Sequence, residues 1–280
     1  MNPRLSIDNS ITLNDGSEIP QLGLGVFQIA EREVCVRAVH AALDSGYRHI
    51  DTAVGYQNEE YVGQALKESK VDRDELFVTT KFMPDARDGA SARKAVEKSL
   101  RALQVEFVDL YLIHWPMREG TEKAYEAMQR LREEGKLRSI GVSNFTVRRF
   151  EEQFFRRIGE VPAVNQFERH PYFPNNELID YCREKGIQPE AYSPLAQANA
   201  LKDPTLVEIG ETHQKSPAQV LIRWHLQQEI VVIPKSSNPK RIRENVDVYD
   251  FQLSADEMER IAALDKAESI ITCRPEDDWF

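Results

Sequence analysis

The sequence predicts an α/β fold, a single (β/α)8 TIM barrel running through residues 1–280. Two observations carry that prediction. Eight short, apolar, β-rich runs recur with a spacing of roughly 25–30 residues, and amphipathic stretches separate them, the signature of right-handed βαβ units on a parallel sheet. No second compositional regime interrupts the repeat, so eight units favour a closed barrel over an open sheet.

The elements follow in order. Ser6–Ile19 reads as a short N-terminal β-hairpin around Asn14-Asp15-Gly16, placed to cap the bottom of the barrel. The eight runs are Leu22–Gln28, Tyr47–Ala53, Leu76–Phe82, Phe107–Trp115, Arg138–Ser143, Ala163–Glu168, Gln188–Ser193 and Ile230–Lys235. Glu31–Ser45 reads as a helix, with Val34, Val36, Val39, Ala42 and Leu43 as its apolar positions and Gly46 as its stop. Ser91–Leu103, Thr121–Glu134 and Pro217–Gln227 follow the same logic; Gly135 closes the second of these and Pro217 suits a first helical turn. The charged stretch Arg148–Arg157 reads as a solvated helix face.

Composition narrows the function classes. With 46 acidic against 36 basic residues the net charge is −10, which argues against a general nucleic-acid binder, since phosphate neutralisation needs a basic face. Three widely spaced cysteines, Cys35, Cys182 and Cys273, suggest ordinary thiols rather than a disulfide framework or zinc ribbon. No apolar run approaches membrane-spanning length, and the N-terminus has no signal-peptide core, so a cytoplasmic protein without a membrane partner is expected. The glycosylation sequon at Asn144 reads as chance in that setting. An open-sheet dinucleotide fold needs a Gly-x-Gly-x-x-Gly turn after the first strand; Gly23-Leu24-Gly25 begins one, but Gln28 stands at the third glycine. A dinucleotide bound here is not bound by a Rossmann turn.

In a (β/α)8 barrel the reactive groups gather at the C-terminal strand ends. The second run ends in His49-Ile50-Asp51-Thr52-Ala53 with Tyr56 just beyond, the third in Thr79-Thr80-Lys81, and the fourth in Leu112-Ile113-His114-Trp115-Pro116. Asp51, Tyr56, Lys81 and His114 therefore converge on one mouth. That set suits carbonyl reduction, which needs a hydride and a proton for the developing alkoxide. A tyrosine with a pKa near ~10 is a weak acid at neutral pH, and a neighbouring ammonium lowers that pKa. Asp51 would neutralise and orient Lys81; His114 would hydrogen-bond the substrate oxygen. Taken singly each residue has a plainer reading: a helix-capping aspartate, a solvated lysine, a packing tyrosine, a satisfied histidine. Together at three successive strand ends the catalytic reading is favoured. The remaining histidines (His40, His49, His170, His213, His225) have no metal-ligand spacing and read as structural, so no metal site is expected.

The set Asp51-Thr-Ala-Val-Gly-Tyr56, Lys81 and Ile113-His114-Trp115-Pro116 resembles the aldo-keto reductase superfamily. The resemblance runs from about Gly23 to Asn245, with Gly141-Val-Ser-Asn-Phe145, Asn165-Gln166, Tyr192-Ser-Pro-Leu195 and Ile233-Pro-Lys-Ser236 in the expected order. It is closest in character to prokaryotic members of the 2,5-diketo-D-gluconate reductase-like subgroup, which reduce diketogluconates, methylglyoxal-like dicarbonyls and assorted aldehydes. The resemblance implies that Tyr56 donates the proton, assisted by Lys81 and Asp51, while His114 orients the carbonyl. It implies that Ser143, Asn144 and Gln166 hold the nicotinamide carboxamide, Tyr192 stacks on the ring, and Ser193 and Leu195 meet the pyrophosphate. Lys235, Ser236 and Arg241 would bind the 2′-phosphate of NADP(H), and Glu244 and Asn245 the adenine, with hydride leaving the pro-R face of C4.

The last cluster also stands on physical grounds. Lys235-Ser236-Ser237-Asn238-Pro239-Lys240-Arg241 opens the final barrel helix, and a helix N-terminus with added cations suits a phosphomonoester. Its plain reading is a capped helix start. Two departures from the family pattern stand out. Phe27 replaces a common tryptophan beside the substrate, and Pro189 replaces a commoner polar residue. With Trp115, Trp279 and Phe280, Phe27 is expected to form an aromatic substrate pocket, unless the tail aromatics merely pack. Fold alone does not select an enzyme. A cofactor-sensing regulatory subunit, as the potassium-channel β-subunits of this superfamily are, or a lens-crystallin-like structural protein, are the alternatives. A monomer is expected, since no long apolar stripe is left over.

Overall fold

The computed structural model describes residues 5–83, 88–117 and 119–271. Strands β1 (Ser10–Thr12) and β2 (Glu18–Pro20) form an antiparallel hairpin, pairing Ser10 with Pro20 and Thr12 with Glu18. Gly16, in the turn, has φ +87°, a conformation that costs glycine nothing.

Eight parallel strands follow: β3 (Gly23–Gly25), β4 (His49–Asp51), β5 (Phe77–Phe82), β6 (Val108–Ile113), β7 (Leu137–Ser143), β8 (Val164–Glu168), β9 (Gln188–Tyr192) and β10 (Val231–Val232). They pair in chain order. The ring closes between β10 and β3: the Val232 amide donates to Gln21 O at 2.9 Å, the Gly25 amide to Pro234 O at 3.2 Å, and Leu22 and Gly25 bridge Val232 and Lys235. Seven of the eight apolar runs of the sequence contain these strands whole, and the run Arg138–Ser143 misses only the first residue of β7, Leu137.

The helices are α1 (Arg32–Asp44), α2 (Glu59–Glu68), α3 (Gly89–Leu103), α4 (Thr121–Glu133), α5 (Val147–Arg149), α6 (Asn176–Glu184), α7 (Pro204–His213), α8 (Pro217–Leu226), α9 (Pro239–Val246) and α10 (Ala255–Ala262). Their ends carry the expected chemistry. Ser216 and Gln219 form a reciprocal capping box at α8, with Pro217 in the first turn, and Gly46 and Gly135 sit at positive φ beyond α1 and α4. One expectation is corrected. Arg148–Arg157 is not a solvated helix face: one short turn gives way to a wide π-type turn over Phe150–Phe154, and Arg149, Phe150 and Phe154 are buried. Two aromatic anchors inside a charged run pull it onto Phe145 and Tyr125.

The barrel is layered. Its floor is apolar, with Phe77, Leu110, Leu112, Val164 and Val231 packed on Leu13 and Ile19 of the hairpin, which therefore plugs the bottom as expected. Fully buried Ile19 is held there by transfer free energy; truncating such a side chain to alanine costs ~2–5 kcal/mol. Above the floor the interior turns polar: His49, Thr79 and Glu190, then Asp51, Lys81 and Gln166, all buried. Cys35 and Cys182 are buried free thiols, each pushed up to about 12 by burial, the behaviour of ordinary thiols; Cys273 lies outside the described residues. Among the described residues no helix is long and apolar enough to cross a membrane.

Candidate active site

Three of the four reactive side chains sit at or within one residue of a strand end, and the fourth, Tyr56, in the turn that follows β4. Asp51 closes β4 and Lys81 lies near the end of β5, and both strands project these positions inward. Lys81 Nζ donates to both Asp51 oxygens at 2.7 Å and to Thr52 O at 2.8 Å. A buried ammonium is tolerable only when so fully satisfied. Burial pushes the Asp51 carboxyl up, while Lys81 and the Gln166 amide, at 2.9 Å from Oδ2, pull it down.

Tyr56 sits in a single helical turn after β4, and Asn58 fixes that turn. The buried Asn58 amide donates to Val26 O and Ile29 O at 2.9 and 3.2 Å, and its carbonyl accepts from Thr52 Oγ1 at 2.7 Å. The phenol is thereby held over Lys81, with Nζ 3.5 Å from the hydroxyl and 5.1 Å from the ring centroid. Burial, reinforced by the Asp51 charge and by Glu190 when that carboxyl is ionised, raises Tyr56 well above its ordinary pKa rather than lowering it as the neighbouring ammonium alone would, so the hydroxyl carries its proton. His114 follows β6 and meets the Tyr56 ring edge-on at 5.7 Å. Burial, with the Lys81 charge in second place, lowers His114 to about 3, which keeps it a neutral imidazole. The four catalytic candidates are thus brought together in one mouth.

The cofactor candidates divide into two groups. At the strand ends Ser143 Oγ donates to Gln166 O at 2.8 Å, Asn144 Nδ2 donates to Ser143 Oγ and to His114 O, and Tyr192 donates to Asn144 Oδ1 at 2.7 Å. Asn144 adopts φ +64° and Ser193 φ +51°, backbone that a plain strand-to-helix connection does not need. Leu195 is half-buried, its side chain packed against two apolar clusters. Further out, Lys235 and Arg241 are exposed, as is Glu244, whereas Ser236 and Asn245 are buried. Ser236 Oγ accepts from the Asn238 amide at 3.1 Å and Asn238 caps α9 through the Lys240 amide at 2.9 Å. Amides and a hydroxyl at one end, cations at a helix start at the other: this donor set fits a nicotinamide dinucleotide with a terminal phosphate.

Phe27, 46% exposed, lies 4.9 Å from Tyr56, and Trp115 stacks beside His114 at 6.4 Å, so both belong to the mouth. Trp279 and Phe280, the other expected pocket residues, lie outside the described residues. Sequence reasoning missed Asn58, whose role appears only across 29 and 32 residues of chain. It also missed Glu168 at the end of β8. Burial pushes this carboxyl up, but hydrogen bonds from His170 Nε2, Ser269 Oγ and the Ile270 amide, at 2.9, 2.6 and 2.7 Å, hold it below the usual range and tie the C-terminal segment to the mouth. Among the described residues no trio of His, Cys, Asp or Glu is grouped to hold a metal ion.

Comparison with known proteins agrees with this geometry. The profile of the aldo/keto reductase family matches residues 21–266. The chain is 46% identical over 266 residues to a glyoxal reductase of Bacillus subtilis (strain 168), covering 95% of this chain and 96% of that one. It is 43% identical over 274 residues to the methylglyoxal reductase DkgA of Escherichia coli (strain K12), covering 96% and 97%. Among solved structures it superposes on MGS-M4, an aldo-keto reductase enzyme from a Medee basin deep-sea metagenome library, with a TM-score of 0.91 at 40% identity, covering 96% of this chain and 99% of that one. The match runs through the strands that deliver Asp51, Lys81 and His114, and this chain belongs to the aldo/keto reductase family, oxidoreductases that act on carbonyl groups.

Proposed function

We propose that the protein reduces small aldehydes, ketones and dicarbonyls, of which glyoxal, methylglyoxal and 2,5-diketo-D-gluconate are the class, using NADPH. The single observation that carries this reading is the buried ammonium of Lys81 held by Asp51 against the Tyr56 hydroxyl. The names of the similar glyoxal and methylglyoxal reductases support the dicarbonyl class.

The bound coenzyme supplies the hydride. The protein does the rest. Ser143, Asn144 and Gln166 hold the carboxamide and Tyr192 offers its ring, while Ser193 and Leu195 border the pyrophosphate. Lys235, Ser236 and Arg241 take the 2′-phosphate, and Glu244 and Asn245 border the adenine. The neutral His114 donates a hydrogen bond to the substrate oxygen and fixes its approach. Tyr56 then donates its proton as the oxygen gains charge, and Lys81 stabilises the phenolate left behind. The Lys81–Tyr56 contact of 3.5 Å leaves room to tighten as charge develops on the phenol oxygen. Phe27 and Trp115 frame an apolar entrance suited to compact carbonyls.

The test follows NADPH oxidation by absorbance with a panel of dicarbonyls and aldehydes, for the wild type and Tyr56→Phe together. Turnover by the wild type, lost in the variant, is expected. A wild type that binds NADPH but reduces nothing on the panel returns weight to the regulatory-subunit reading.

A further inference from the structure

Beneath the Asp51–Lys81 pair the barrel holds a second carboxyl that proton donation by Tyr56 does not itself require. Glu190 lies at the centre of β9 and is fully buried. In register it stands beside Gln166 of β8, whose amide nitrogen donates to Asp51 Oδ2 at 2.9 Å. A polar row therefore crosses the barrel: Glu190 stands beside Gln166, and hydrogen bonds run from Gln166 to Asp51 and on through Lys81 to Tyr56. The other groups facing it are few. From β4 come Asp51 and His49, whose Nε2 is 3.8 Å from Glu190 Oε1 and 3.0 Å from Thr79 Oγ1. Lys81 faces it from β5, and Val231 pairs with it from β10. On β3, Gly23 contributes no side chain: a Cβ there would stand 2.7 Å from His49 Nδ1, so its absence is what admits the imidazole to this layer.

One ammonium serves two carboxyls. Lys81 grips both oxygens of Asp51 at 2.7 Å, whereas among the described residues no donor is placed to hydrogen-bond either oxygen of Glu190, the Gln166 amide being turned to Asp51. An unpartnered buried carboxyl keeps its proton. Burial, then the Asp51 charge, push Glu190 up to about 8, with the Gln166 amide and Lys81 pulling the other way. His49, lowered to about 3 by burial, stays neutral and offers no compensating charge. The charge of an ionised Glu190 raises Tyr56 further.

We propose that Glu190 is a positioning residue for the reduction: while protonated it leaves Asp51 to hold Lys81 against Tyr56, and its ionisation switches off proton donation by Tyr56. This rests on Tyr56 being the proton donor. The proton leaving Glu190 goes to solvent, and the negative charge it leaves behind acts in a water-excluded layer where screening is slight. It draws Lys81 downward and disfavours the phenolate that reduction must generate.

The experiment measures kcat and kcat/KM for methylglyoxal with saturating NADPH between pH 6 and pH 10, for the wild type, Glu190→Gln and Tyr56→Phe. The wild type is expected to lose activity with a midpoint near 8, the pKa of Glu190. Glu190→Gln, which keeps the shape without the titration, is expected to move that alkaline limb up by about one pH unit or more. Superimposable limbs overturn the inference, as does a folded Glu190→Gln that is inactive at every pH. Should that variant not fold, infrared difference spectra of the wild type between pH 6 and pH 10 decide: loss of a protonated-carboxyl band with a midpoint near 8 supports the assignment, and no such band overturns it. Activity retained by Tyr56→Phe instead refutes the proton-donor reading, whatever Glu190 does.

Discussion

The barrel mouth and the start of α9 bind charge in opposite ways. In the mouth, Asp51 and Lys81 are buried, and every donor of Lys81 is engaged by protein atoms. At α9, Lys235 and Arg241 stand in solvent, and the buried Ser236 and the cap Asn238 are satisfied by backbone. The first arrangement is costly to assemble and rigid once made, the condition for stabilising charge in a transition state. The second is inexpensive and screened, adequate for gripping a phosphate far from the chemistry. Mutations should therefore act on turnover and folding at one place and on coenzyme affinity at the other.

The largest effect that tests this contrast is Tyr56→Phe. It removes the proton while keeping the ring against Phe27 and His114, so kcat should fall ~10²–10⁴-fold with little change in coenzyme KM. Equal losses in kcat and NADPH affinity would break the separation. Lys81→Met comes next: it leaves Asp51 as an unpaired buried charge, and urea denaturation should report a loss of ~3–5 kcal/mol. A loss below ~1 kcal/mol means that the pair is solvated like a surface bridge.

Buried histidines sharpen the same contrast. His49 and His225 are fully buried and their pKa values are lowered, His49 to about 3. The unfolded chain thus takes up protons first, so stability is full above about pH 6.5 and falls as pH drops toward 3, by about 1.4 kcal/mol per pH unit for each histidine. Melting temperatures at pH 7 and pH 5 check the sign; an unchanged value refutes it. The smallest effect is Arg241→Ala, which should raise the NADPH KM by about tenfold, leave kcat intact, and spare NADH, with the penalty shrinking in high salt. An equal loss for NADH shows that Arg241 does not contact the 2′-phosphate.

Much of this is legible in the sequence alone. The eight runs contain the eight strands to within one residue, and Asp51, Lys81 and His114 are placed at strand ends because inward residues alternate and barrels concentrate chemistry at one rim. Arg148–Arg157 reads as solvated because its charges outnumber Phe150 and Phe154, yet two buried rings outweigh solvated arginines. Asn58 and Glu168 left no signal, since nothing in their own neighbourhoods marks a staple for distant loops.

The sequence by itself determined the strand–helix alternation, the stops at Gly46 and Gly135, the cap of α8 and the rim on which the reactive residues meet. Each of these depends on contacts between near neighbours or on a fixed side-chain period. Only the tertiary structure decided how the charges are shared. Gln166 reaches Asp51 across 115 residues of chain, and Glu190 faces Asp51 and Lys81 only once β10 has closed on β3. Which carboxyl keeps its proton depends on burial and distance across the barrel axis, quantities that do not exist until the ring is shut.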